Sequence, residues 1–356
     1  MRLRNGLVVV LVTLGILAPL YGQPAGPSKE ERKLMKQKLE AAQQELRETL
    51  VLSRDMKFEV LAVLPAYQRC VDAGMEFHKE SSDRVKLLKD LVEVAKGVEK
   101  EMEARLKSGG GRQRDVFAIR YMRLDAELRL LREKKASKEE GKLMKQKLDT
   151  AQMEIDETLK LSRGGFDLLA ALPAYHRCVD AGLELYQDST DRINLLEGLV
   201  ECAKAFEKNA EQRFKGGAGT QRDLYAIRYM RLDAQSRLLR EKNKASKEVR
   251  KLMNQKLETA QMELAAALKL SRDVKFDLLG PLHAHQRYLD AGLEFYQEAT
   301  DRVKLLEDLV EVAKGVDKQM EARLRGGAGR RIDANAIRYM RLDAELRLLR
   351  EKKKAK

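Results

Sequence analysis

His283 and His285 stand two residues apart, and that pair is the first place in this 356-residue chain to look for a metal. On a helix, residues two apart face different ways. Neither a cysteine nor an acidic cluster nearby completes a ligand set. The other histidines are His78 and His176, and no histidine recurs in all three places where the sequence repeats itself. No metal centre is expected. The glycine runs at 109–111, 216–219 and 326–329 invite a phosphate-binding reading. That chemistry needs a preceding strand and Gly-Lys-Ser/Thr at a helix start, and neither is present. Carboxylates are abundant but alternate with Lys and Arg, so no general acid–base pair stands out. The sequence therefore predicts no catalytic residue, no cofactor and no enzyme.

Cys70, Cys178 and Cys202 are odd in number and form no disulfide framework. Cys70 and Cys178 occupy matching repeat positions, with Tyr288 in the third. They read as small core residues, with a Cys70–Cys178 bridge as the alternative if their helices touch. The opening Met-Arg-Leu-Arg, an apolar run from Leu7 to Leu20 and small residues near Gly22 predict a secretory signal peptide over 1–22. The alternative is an uncleaved anchor. Cleavage removes Arg2 and Arg4 and leaves +12 of the chain's +14. The expected location is the periplasm or cell envelope, so cytosolic nucleic acid is not an expected partner.

Charged residues make up 35% of the chain, aromatic residues 5%, and there is no Trp. That is the composition of long helices, and it lacks the aromatic girdles of a membrane β-barrel. The phrase RYMRLDA begins at Arg120, Arg228 and Arg338. KLMKQKL at Lys33 and DRVKLL at Asp83 return at the same spacing, so one unit of about 109 residues is written three times. The units read as 28–135, 136–244 and 245–356.

Each unit reads as three helical segments. Met35, Leu39, Ala42, Leu46 and Thr49 alternate four and three apart along a first helix over 29–53. Leu88, Leu91, Ala95, Val98 and Met102 continue such a seam along a second helix, drawn unbroken from Ala66 to Lys107. The glycine run folds that helix against a third, which starts at Asp115, Asp223 and Asp333 as N-caps. Thr220 and Asp223 resemble a capping box. The third helix is expected to run with a bend into the first helix of the next unit, past Gly141. Pro65 and Pro173 match, whereas Pro281 sits two residues off register and marks a joint. The predicted fold is all-α: an elongated array of long antiparallel coiled-coil-like helical hairpins in three tandem repeats.

Two sets of candidate contacts follow. Gly109, Gly110, Asp115, Gly217, Thr220, Asp223, Gly327 and Asp333 form the hairpin tips, where a partner would dock. Arg112, Arg114, Arg120, Arg222, Arg228, Arg330, Arg331 and Arg338 carry positive charge that would meet an anionic polymer or lipid surface. Part of the basic excess is structural, because Arg123–Glu127, Asp125–Arg129 and Arg129–Glu133 are i,i+4 pairs.

The stretch Gly219-Thr220-Gln221-Arg222-Asp223-Leu224-Tyr225-Ala226, followed by Arg231-Leu232-Asp233-Ala234, resembles the hairpin tip of TolC-type outer-membrane efflux proteins. Arg213-Phe214, Arg105-Leu106 and Arg323-Leu324 sit where that family ends its first helix. The resemblance covers about 50 residues of each unit. It implies a periplasmic helical barrel whose tips meet a periplasmic adaptor. No strands for an outer-membrane barrel are apparent, and three hairpin units stand where the family has two. The sequence thus predicts an exported envelope protein with a structural or interaction role, by an envelope partner or by self-association of coiled-coil faces. A TolC-like efflux component and a polyanion- or membrane-surface-binding protein are the alternatives.

Overall fold

The computed structural model describes residues 27–53, 63–135, 139–163, 168–242, 246–271 and 279–355. The expected signal peptide and the glycine pair Gly164-Gly165 lie outside them. Twelve α-helices occur among the described residues, with no strand. They are α1 (Lys29–Ser53), α2 (Val63–Phe77), α3 (Ser81–Lys107), α4 (Gln113–Glu133), α5 (Glu140–Arg163), α6 (Ala171–Leu185), α7 (Ser189–Lys215), α8 (Gln221–Glu241), α9 (Ser246–Ser271), α10 (Leu279–Phe295), α11 (Ala299–Arg325) and α12 (Arg331–Lys354). The chain is an all-α array of antiparallel helical hairpins, as its sequence reads.

Each unit holds four helices rather than three. The segment from Ala66 to Lys107 is not one helix but breaks at residues 78–80. There two carbonyls just past the end of α2 are claimed by a side chain: Arg84 Nη1 donates to the carbonyls of His78 at 3.3 Å and Lys79 at 2.6 Å. Arg192 and Arg302 do the same for Tyr186 and Tyr296. Gly74, Gly182 and Gly292 let the two helices approach closely just before the break. A Cβ on Gly182 would stand 2.1 Å from Leu195 Cδ2, so α6 and α7 cannot meet there with a larger residue in place unless Leu195 moves.

The chain also reverses after α4, the segment read from sequence as the third helix, instead of bending onward. Lys135 takes a left-handed φ of 55° at the end of α4, and Arg132 reaches back to Glu140 of α5 at 2.6 Å. Pro65, Pro173 and Pro281 are each the third residue of their helix. Proline is tolerated there because the first-turn N–H has no helical partner. The third copy's apparent drift is a helix that starts two residues earlier.

Four helices of a unit bury one apolar interior, as in α5–α8, where Ala151, Ala174, Val179, Phe206, Ile227 and Met230 meet. The seams read from spacing are buried: Met35, Leu39, Ala42, Leu46 and Thr49 on α1, and Leu88, Leu91, Ala95, Val98 and Met102 on α3. Cys70 and Cys178 are free and belong to different cores, so they form no bridge. Units stand side by side through α4 against α5 and α8 against α9. The array also meets itself, because α12 packs along α1 in the same manner. Three four-helix bundles thus close into a ring.

Candidate interaction site

At each junction a lysine from the first helix of one unit meets the fourth helix of the unit before it. Lys38, Lys147 and Lys256 donate to Asp343, Asp125 and Asp233 at 2.5, 2.6 and 2.5 Å. The same ammonium groups reach Glu76, Glu184 and Glu294 at 2.8, 2.8 and 2.6 Å. Each also stands 5.1 Å from the centroid of Tyr339, Tyr121 or Tyr229. A lysine that is only 4–6% exposed must keep its charge matched, because an isolated buried ammonium is expensive. Here two carboxylates and an aromatic face supply that match.

The aspartates are shared in turn. Arg347, Arg129 and Arg237 donate to them from the next helical turn at 2.7, 2.7 and 2.8 Å. Burial works to raise the Asp343, Asp125 and Asp233 carboxyls, but the lysine and arginine beside each outweigh it and hold them below the ordinary aspartate value. Tyr121 joins the apolar core of the second bundle, Tyr229 that of the third, and Tyr339 packs on that of the first. RYMRLDA is therefore an inter-bundle plug, with its Tyr in the neighbour's core and its Asp on the neighbour's lysine.

A cavity of about 730 Å³ lies beside the closing junction, between α1, α2, α10 and α12. Lys38, Asp72, Glu76, His283, Asp343 and Arg350 are among its walls. His283 and His285 are split by the helix as expected: His283 faces the cavity, while His285 is buried with Nε2 3.2 Å from the Leu309 carbonyl. His78 ends in the break after α2 and His176 is half-buried on α6. Among the described residues, no three His, Cys, Asp or Glu side chains converge in a metal-holding group.

The tips are built by a left-handed glycine. Gly109, Gly217 and Gly327 have φ of 78°, 75° and 72°, which side chains disfavour. The next N–H, from Gly110, Ala218 or Ala328, returns to the carbonyl of Arg105, Arg213 or Arg323 at 2.9 Å, the Schellman closure. The returning helices start two residues earlier than read. Arg112, Thr220 and Arg330 are the N-caps, and Asp115, Asp223 and Asp333 fall on the third helical position. Thr220 and Asp223 form the expected capping box, each accepting the other's N–H at 3.2 Å.

The candidate anion-contacting arginines do not form one group. Arg114 is 2% exposed and lies on Asp115. Arg120 spans Glu99 and Glu103, both at 2.8 Å, and Arg228 spans Glu207 and Glu211. Arg222 pairs with Asp223, and Arg330 with Asp333 at 2.9 Å. Arg112, Arg331 and Arg338 are exposed. Of the i,i+4 pairs, Arg123–Glu127 and Asp125–Arg129 form at 2.9 and 2.7 Å. Arg129–Glu133 does not, because Glu133 turns to Arg84 of α3 at 2.9 Å.

Sequence reading overlooked Lys38, Lys147 and Lys256. The available signal was a lysine kept in register three times inside an otherwise apolar seam. Among the described residues no helix is long and apolar enough to cross a membrane. The chain matches no model of a known protein family and no characterised protein in sequence.

Proposed function

We propose that this chain is an exported, non-enzymatic scaffold of the cell envelope, a closed ring of helical bundles that acts by presenting its three hairpin tips to a partner. One observation carries the reading: the three chemically matched lysine–aspartate junctions, which fix the tips in register. Gly109, Gly217 and Gly327 each lie sixteen residues before the junction aspartates Asp125, Asp233 and Asp343. On helices that run the same way, equal distance places the tips at equal height. Closed rings of packed bundles resist deformation, which suits a scaffold more than a chain that must rearrange.

The test is the location and solution mass of the mature protein. A soluble monomer in the periplasmic fraction supports the scaffold. Cytosolic retention refutes export. Recovery with the outer membrane as a trimer replaces this reading with the TolC-like one, for which tips gathered at one end of a helical ring are the favouring observation.

A further inference from the structure

Each of the three hairpin tips is net positive. Residues 105–115, 213–223 and 323–333 carry net charges of +3, +2 and +3. Lys107, Lys215, Arg325 and Arg331 are exposed on the tips, and of these Arg325 lies 3.6 Å from Glu321, itself exposed. An apolar residue accompanies the cations at one equivalent position of every tip. Phe214 is 42% exposed in the second, with half-buried Leu106 and Leu324 in the others. Val51 is 67% exposed near the end of α1, on the helix whose last carbonyl, of Ser53, is held by Arg105 beside the first tip.

We infer that the tip end of the ring docks on an anionic lipid surface. Three basic tips at one height match a flat array of negative headgroups, which a single extended strand of polyanion would not engage together. Cations flanking a partly exposed Phe or Leu are the chemistry of the bilayer interface, where apolar side chains enter the headgroup layer and basic ones meet its charge. Three weak contacts on one rigid body also bind together more tightly than any alone.

The mature chain is to be sedimented with mixed phosphatidylcholine–phosphatidylglycerol vesicles and with pure phosphatidylcholine vesicles. Binding to the mixed vesicles alone, weakening with salt, is the expected result. Each basic contact contributes roughly fivefold to partitioning, so the triple variant Lys107→Gln, Lys215→Gln, Arg331→Gln loses about a hundredfold. A control triple, Lys96→Gln, Lys204→Gln, Lys314→Gln, removes three exposed cations from the sides of the bundles and keeps full binding. Phe214→Ser weakens vesicle binding and leaves retention on soluble polyphosphate unchanged. All these sites are exposed, and matching thermal melts verify that the variants fold. Absence of binding to anionic vesicles, equal losses in both triple variants, or retention on polyphosphate without vesicle binding overturns the inference. It rests on the scaffold reading, yet the two fail separately: a periplasmic monomer that ignores vesicles removes only the lipid.

Discussion

Replacing Lys38 with alanine tests whether the ring is held shut where the chain's two ends meet. Lys38 is 6% exposed on its side chain and holds Asp343 at 2.5 Å and Glu76 at 2.8 Å. Removing one member of a buried pair costs about 3–5 kcal/mol, because the other charge stays buried. Asp343 keeps Arg347 and Glu76 keeps Arg350, so the lower end, about 3 kcal/mol, is expected. The same deletion at Lys147 or Lys256 should cost a similar amount globally. Their helices are consecutive members of hairpins, however, and remain tethered through a short connection. At the Lys38 junction α1 and α12 have no such tether, and separating them frees the whole span between chain ends. Hydrogen exchange should therefore accelerate in α1 and α12 of Lys38→Ala ahead of other helices, a local opening below the global transition. Urea melts of all three variants supply the energies. If α1 and α12 in Lys38→Ala exchange no faster than α5 and α8 in Lys147→Ala and Lys256→Ala, closure through this junction is wrong.

Other perturbations read different parts of the ring. His285 stands where the other units have Tyr67 and Tyr175, and burial presses its imidazole down to about 4. Its folded value lies below the ordinary 6.5, so it costs no stability above that pH and destabilises the fold increasingly as pH falls towards 4, by about 3 kcal/mol. His285→Tyr should make the stability–pH profile shallower across that window, with His176 and His283, also held down by desolvation, keeping the remaining slope, measured by denaturant melts at each pH. The junction aspartates act lower: their depressed carboxyls contribute fully above the ordinary 3.8 and lose that contribution as pH falls through the folded values. Acid unfolding should thus have a second, steeper phase below about pH 4, which Asp343→Asn makes shallower. Asp317 replaces Glu99 and Glu207 in the third unit, where it reaches Arg341 at 2.8 Å and leaves Arg338 exposed. Asp317→Glu should recruit Arg338 and add about 0.5 kcal/mol, the scale of a partly exposed pair, in a thermal melt. Gly109→Ala should cost about 1 kcal/mol for its left-handed φ, whereas Gly110→Ala places the alanine already present at Ala218 and Ala328 and should change little.

Repetition made the fold class legible, since the same apolar spacing appears three times with the same glycine turn. Helix boundaries were less so. The break after Phe77 has neither proline nor glycine at its centre, and the seam continues across it. What marks it is Arg84 capping carbonyls five and six residues away, with Gly74 just ahead. Reversal at Lys135 was hidden for a similar reason. The link 134–139 is lysine-rich and reads as continuous helix, and only the packing of α5 back along α4 reveals the turn. Charges at the junctions were illegible because their partners lie on other helices, and local pairing accounts for only some arginines of RYMRLDA. Arg123 and Arg129 keep the i,i+4 partners that spacing suggests, while Arg120 and Arg132 cross to neighbouring helices.

Closure explains why the phrase is kept whole in three copies. A head-to-tail interface uses two different faces, and any open stack leaves one of each unsatisfied. Here the bare face of the first bundle would expose Lys38 with Glu76. The bare face of the third would expose Tyr339 and Asp343, so a buried cation, its aspartate and an aromatic plug would all stand in water. Three copies bring those faces together, provided each step turns the chain by the same amount. That condition constrains the interface residues jointly, because a change of angle at one junction displaces the last against the first. Tips and outer surfaces feel no such constraint. Accordingly Ser108 becomes Gly216 and Gly326, and Glu127 becomes Gln235 with its hydrogen bond to Arg231 retained at 2.7 Å. The Lys, Tyr and Asp of the junction are unchanged at every use.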